Sequence, residues 1–200
     1  VLLARKNKLV IFNKNACNIM LDKGIEVFNG IFLDFVENSD FDIISMNNYI
    51  EHVLDPVAEV QKAWLSLKPG GKFIGTCLDG TRVFKLLEET ENIAKYSGEL
   101  LLWRITKRYD TNIFSADESS LGNKIDVYVN SIGQTISEYL VNFDYLIDIC
   151  KENNLEFVDV VPFEKLYKKN INYGATNKMT PDLMMYSFLN NQFIFEKKAI

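Results

Sequence analysis

Short, almost uninterrupted apolar runs, each closed by a turn or followed by an amphipathic helix, commit this chain to a sheet buried on both faces. They are Leu9-Val10-Ile11-Phe12, Ile25-Glu26-Val27-Phe28, Phe41-Asp42-Ile43-Ile44-Ser45-Met46 and Lys72-Phe73-Ile74-Gly75-Thr76-Cys77. Runs of this length suit strands covered by helices. Between them, Asn15 to Lys23 carries Cys17, Ile19, Met20 and Leu21 ahead of a helix-stopping Gly24. Pro56 to Leu67 places Val57, Val60, Trp64 and Leu67 on one helical stripe, with Asp55 as N-cap and Pro56 at the first position. Lys68-Pro69-Gly70-Gly71 then stops the helix and turns the chain into the fourth strand, a structural rather than catalytic duty. This order predicts an α/β fold with a largely parallel sheet and helices on both faces.

The second half has a different texture. A helix is expected over Arg82 to Glu91, and strands over Leu100 to Tyr109 and Lys124 to Val129, separated by the polar loop Asp117-Glu118-Ser119-Ser120. A helix over Phe143 to Asn153, a strand over Leu155 to Val160 and a short helix over Phe163 to Lys169 follow. Asn170 to Pro181 reads as a breaker-rich loop, and Phe193-Ile194-Phe195 as a closing strand. No repeat or linker interrupts residues 1–200, which read as one domain.

Composition removes several function classes. No run approaches the roughly 20 apolar residues that span a bilayer, so no membrane partner is expected. Three scattered cysteines (Cys17, Cys77, Cys150) form no CxxC pair, and with a single histidine no metal site is expected. A net charge of −5 argues against coating nucleic acid, yet leaves open recognition of one nucleotide at a chain end. Val1-Leu2-Leu3-Ala4 before Arg5-Lys6 is too short for a secretory signal. The chain then enters a strand at once, as a fragment without its N-terminal portion would, or a divergent chain with a very short start.

In an open α/β sheet, ligands bind beyond the carboxyl ends of the strands. That points to Asn13, Gly30 to Asp34, Ser45 to His52 and Leu78 to Thr81. The densest cluster is Asn47, Asn48, Glu51 and His52. Polarity alone is equally satisfied by a wet loop that caps the following helix.

The segment Phe41 to Pro56, with FD before an apolar strand and Glu51-His52-Val53-Leu54-Asp55-Pro56 after it, followed by Leu67-Lys68-Pro69-Gly70-Gly71, resembles the middle of a class I S-adenosylmethionine-dependent methyltransferase. The resemblance covers residues 9 to 80 and implies a Rossmann-like sheet and S-adenosyl-L-methionine as cofactor. It also marks what is different here. The first strand and the glycine-rich D-x-G-x-G turn of that family are not in this sequence. Asn13 stands where an acid usually holds the ribose, and Asp34 is the nearest acid after the next strand. An amide offers one acceptor oxygen where a carboxylate offers two. The sequence as given is expected to bind the cofactor weakly or not at all.

Asp79-Gly80, Leu121-Gly122-Asn123-Lys124-Ile125-Asp126-Val127, Ser137-Glu138-Tyr139-Leu140-Val141-Asn142-Phe143 and Phe193-Ile194-Phe195-Glu196-Lys197 resemble the mRNA cap guanine-N7 methyltransferases, cellular and viral. That resemblance implies antiparallel strands added in the second half and the capped 5′ end of RNA as substrate. It also implies fused or separate capping-enzyme domains and an intracellular setting: the nucleus, or the cytoplasm or virion for a viral chain. It implies that Glu138 accepts hydrogen bonds from guanine, that Asn47 and His52 contact the cofactor, and that Glu51 and Asn190 occupy the places of a histidine and a tyrosine beside the cap. Leu121 stands for an expected aromatic, and Phe188 or Tyr186 could supply a stacking face. Lys107, Arg108 and Lys124 are the candidates for the triphosphate. No catalytic side chain is implied, because guanine N7 has a free lone pair. Two other readings stay open: a methyltransferase of small molecules, in which Glu51 and His52 handle the substrate, and a non-catalytic remnant or subunit that keeps the fold.

Overall fold

The computed structural model describes residues 2–3, 8–11, 26–35, 41–170 and 179–198. Asn13 and the helix expected over Asn15 to Lys23 lie outside them. The strands are β1 (Leu2–Leu3), β2 (Lys8–Ile11), β3 (Glu26–Asn29), β4 (Phe41–Asn47), β5 (Leu67–Leu78), β6 (Asn92–Ser97), β7 (Leu100–Lys107), β8 (Lys124–Val129), β9 (Thr135–Tyr139), β10 (Leu155–Pro162) and β11 (Asn190–Lys197). The helices are α1 (Pro56–Ser66), α2 (Gly80–Leu86), α3 (Phe143–Glu152), α4 (Phe163–Asn170) and α5 (Pro181–Ser187). One sheet has seven strands in the order β10-β11-β5-β4-β1-β2-β3, and a second has four, β6-β7-β8-β9. The expected α/β sheet with added antiparallel strands is therefore present. Its centre differs from a uniformly parallel one. β4 and β5 are parallel, as are β2 and β3, but the two residues of β1 run antiparallel to both neighbours.

Contacts divide the chain into two compact units. The first comprises residues 1–76, 147–159 and 193–200, and the second residues 77–146 and 160–192. In the first, Ile44 and Met46 on β4, Val60 and Ala63 on α1, and Phe73, Phe193 and Phe195 are fully buried. Phe73 and Phe193 lie 5.2 Å apart, centre to centre. At Gly75 a Cβ would come within 2.3 Å of Met46 O and of the Phe193 ring, so only glycine lets the chain pass. Asp55 caps α1 by accepting from Ala58 N at 2.9 Å, with Pro56 opening the helix as expected. Gly70 takes φ +74°, which explains the glycine in the turn before the body of β5.

In the second unit, Trp103, Ile105, Ile125 and Val127 from the antiparallel sheet pack with Val83 and Leu87. Trp103 Nε1 donates to Asp182 O at 2.8 Å. Two elements correct the sequence reading. The helix expected to Glu91 stops at Leu86, where Glu88, Glu89 and Glu91 would sit at the negative end of its dipole, and residues 92–97 become edge strand β6. At Pro181, where the expected loop ends, the chain enters α5, a helix the sequence reading did not assign, with Thr180 Oγ1 accepting from Leu183 N and Pro181 at the first position.

Candidate functional site

In the first unit, Asn47 ends β4. Its Nδ2 donates to Ser45 Oγ at 3.0 Å, and among the described residues its Oδ1 receives only a long 3.4 Å contact from Thr76 Oγ1. Asn48 follows in the left-handed region (φ +46°), which asparagine tolerates, and its N–H donates to Thr76 O at 2.8 Å. The chain then makes a 3-10 turn over Ile50–His52 that exposes His52 and buries Glu51. Asp34 ends another 3-10 turn, Phe32–Asp34, just beyond β3, and is exposed. Asp34, Asn47 and His52 thus stand at or just beyond the carboxyl ends of strands of one sheet, where the fold places ligands.

Sequence reasoning missed the pair that ties these turns together. Phe32 N–H donates to Tyr49 Oη at 3.2 Å, and Tyr49 Oη donates to Glu59 Oε1 at 3.0 Å. Glu59 is buried on α1, and burial pushes its carboxyl up to about 7, with Asp55 and Asp34 adding to the effect. Burial likewise holds the Tyr49 phenol well above its ordinary value. One signal was available: Glu59 lies four residues before Ala63 and seven before Ser66, both buried, so a charged residue occupies the packed side of α1.

In the second unit, register decides which residues share a face. Glu138 on β9 pairs with Ile125 on β8, which in turn pairs with Lys107 on β7. Val127 pairs with Ile105 and Ile136 one step along. Side chains paired across an antiparallel sheet point to one side, so Glu138 stands on the apolar face, in the row of buried Ile125. It accepts no hydrogen bond from any described residue, and burial alone pushes its carboxyl up to about 7. Lys107 ends the same row two strands away, about 10 Å of sheet. Its ammonium lies 5.1 Å from the centre of the Tyr109 ring. The opposite face is polar: Arg108 Nε donates to Asp126 Oδ2 at 2.7 Å, Ser137 Oγ donates to Asp126 Oδ1 at 2.7 Å, and Lys124 pairs with Tyr139. Of the three phosphate candidates, Lys107 alone shares the face of Glu138.

The segment after Glu138 is tightly held. Gly80 N–H donates to Val141 O at 2.9 Å, and a Cβ on Gly80 would lie 2.5 Å from that oxygen. Asp79 accepts from Arg82 N and from Asn191 Nδ2. Asn190 is engaged locally, since its amide donates to Tyr186 O and Ser187 O at the end of α5. The stacking candidates also have aromatic neighbours, Tyr186 against Trp103 and Phe188 against Tyr167. Leu121 is 37% exposed beside Gly122, which takes φ +78°. Among the described residues no group of three or more His, Cys, Asp or Glu could hold a metal ion, and no helix is long and apolar enough to cross a membrane.

Residues 4–193 match the family model described as the mRNA (guanine-N(7))-methyltransferase domain. The curated mRNA cap guanine-N(7) methyltransferase of Saccharomyces cerevisiae is 25% identical over 139 residues, 65% of this chain and 31% of that protein. The protein of the same name from Eremothecium gossypii is 24% identical over 150 residues, 71% and 34% respectively. The chain therefore spans about a third of the length of these relatives. Among solved structures, an S-adenosylmethionine-dependent methyltransferase from Clostridium acetobutylicum superposes with TM-score 0.62 at 12% identity, covering 98% of this chain and 76% of that one. One from Mesorhizobium loti gives 0.62 at 10% identity, covering 94% and 79%. At that identity the likeness is one of fold.

Two acceptors among the described residues match, in chemical kind, donors carried by S-adenosylmethionine. The exposed Asp34 carboxylate and the lightly used Asn47 Oδ1 are acceptors suited to its amine and hydroxyl donors.

Proposed function

The chain belongs to the mRNA (guanine-N(7))-methyltransferase domain family, and on that premise we propose that residues 1–200 act as a single methyltransferase domain that methylates N7 of the guanine capping an RNA 5′ end. S-adenosyl-L-methionine is the cofactor of this family and supplies an electrophilic methyl group on a positively charged sulfur. Asp34, Asn47 and His52 would hold it, together with Asn13. Glu138 reads the guanine. The observation that carries this assignment is a half-buried carboxyl group on the sheet face that carries buried Ile125, with no hydrogen bond from a described residue. Partial burial penalises the charged form, and donors from a ligand would offset that penalty. Guanine offers two parallel donors, N1–H and the 2-amino group, and a carboxylate accepts both. Adenine presents no such pair, so selectivity follows from the same geometry.

N7 is unprotonated at neutral pH, and no base has to remove a proton before attack. What remains for the protein is alignment of N7 with the methyl carbon and the departing sulfur, worth about 7–11 kcal/mol where preorganisation is good. Lys107, in the row of Glu138, is the cation assigned to the cap phosphates. Capping-enzyme domains elsewhere in the protein or on a partner, and work in the compartment where RNA is capped, complete the proposal.

Equilibrium titration tests it. The full-length protein is expected to bind GpppA and S-adenosylhomocysteine, and its Glu138→Ala variant to lose GpppA while retaining S-adenosylhomocysteine. Equal loss of both ligands, or unchanged affinity for GpppA, would show that Glu138 does not read the cap.

A further inference from the structure

Two hydrogen bonds meeting on one hydroxyl join the turn after β3 to the turn after β4. Phe32 opens the turn that ends in Asp34, and Tyr49 sits between Asn47 and His52. Phe32 N–H donates to Tyr49 Oη, and that hydroxyl donates to Glu59 Oε1. We propose that Tyr49 and Glu59 are positioning residues for the cofactor, holding the Asp34 turn in place against Asn47 and His52. The proposal rests on the assignment of those three residues to cofactor binding.

Glu59 is 1% exposed, on a helix whose neighbouring Val60 and Ala63 are fully buried. Its Oε2 has no hydrogen-bond partner among the described residues. An apolar side chain would pack there without leaving a buried oxygen unsatisfied. The carboxyl is therefore poorly explained by stability and well explained by geometry. A hydroxyl has one hydrogen and two lone pairs. Glu59 takes the hydrogen, which turns a lone pair of Tyr49 Oη towards Phe32 N–H. Without Glu59 the phenol could rotate and release the turn. Without Tyr49 both the Phe32 amide and the Glu59 carboxyl lose their partner, and the turns can separate.

The test uses the full-length protein with three variants. Tyr49→Phe deletes the hydroxyl, Glu59→Leu removes the acceptor, and Glu59→Gln keeps an acceptor oxygen in the same place. The probes are calorimetric affinity for S-adenosylhomocysteine and hydrogen exchange of the Phe32 amide in ligand-free protein. Tyr49→Phe and Glu59→Leu are expected to weaken binding about tenfold, the scale of one lost hydrogen bond. Both should speed Phe32 exchange, and both should raise KM for S-adenosylmethionine with kcat within about twofold. Glu59→Gln is expected to stay within about threefold of wild type on every readout, a rescue that a generic destabilisation would not show. Wild-type affinity in Tyr49→Phe overturns the proposal, as does a Glu59→Gln that fails like Glu59→Leu. Asp34→Ala and Asn47→Ala report separately on the cofactor assignment. If they leave affinity unchanged while Tyr49→Phe weakens it, the assignment of Asp34 and Asn47 fails, and the positioning role that rests on it fails with it.

Discussion

Replacing Glu138 by glutamine should stabilise the protein, and by an amount that grows with pH. Burial raises the carboxyl from 4.5 to about 7. Below pH 4.5 the folded and unfolded chains both hold the proton, and the group costs nothing. Between about 4.5 and about 7 the unfolded chain ionises while the folded chain keeps its proton, so stability falls as pH rises. Above about 7 both forms are ionised and the loss is complete. The difference corresponds to about 3 kcal/mol at pH 8, an upper bound because the side chain is only partly buried, and to less than about 1 kcal/mol at pH 5. Glutamine keeps the shape, and any cost of burying its amide is the same at both pH values. For a chain of this size, about 1 kcal/mol shifts Tm by about 2–4 °C. The Tm of Glu138→Gln minus that of wild type should therefore be about 5 °C larger at pH 8 than at pH 5, read by differential scanning fluorimetry. Parallel Tm profiles for the two proteins would refute the claim that this carboxyl is held in an apolar setting.

Cap binding should depend on the same proton, because only the ionised carboxylate accepts from two guanine donors. The Kd for GpppA is expected to be flat above about pH 7 and to rise towards tenfold per pH unit below it, with the slope absent in Glu138→Gln, as isothermal titration would show. Gly80→Ala should destabilise the protein by about 1–3 kcal/mol, since its Cβ would press on Val141 O, and should weaken GpppA binding more than S-adenosylhomocysteine binding. Asp55→Ala removes the α1 cap and should lower stability by about 1 kcal/mol in denaturant titration, leaving GpppA affinity unchanged.

What could be read from the sequence was local in origin. Asp55-Pro56 marks a helix start because cap and ring act within one turn. Lys68-Pro69-Gly70-Gly71 marks the stop because a positive φ is required at Gly70. The runs containing Ile44, Met46 and Phe73 announce strands because both faces are buried. What stayed hidden depends on partners distant in sequence. Residues 92–97 alternate poorly and become β6 through pairing with β7. The face taken by Glu138 follows from its register against Ile125, and nothing near Glu138 in the sequence encodes that pairing. Tyr49 and Glu59 are ten residues apart and read separately as a loop aromatic and a helix glutamate. Only the fold puts a hydroxyl and a carboxyl 3.0 Å apart. Lys124 and Arg108 looked equivalent to Lys107 in the sequence, and the sheet places them on its other side.

The most direct measurement locates the transferred methyl group. The full-length protein would be incubated with S-adenosylmethionine and a GpppA-capped RNA, the product digested to nucleosides, and the digest analysed by mass spectrometry. The account predicts N7-methylguanosine from the cap, formed by wild type and not by Glu138→Ala. A methyl group on ribose or on adenine, or transfer that survives loss of the Glu138 carboxyl, would contradict it.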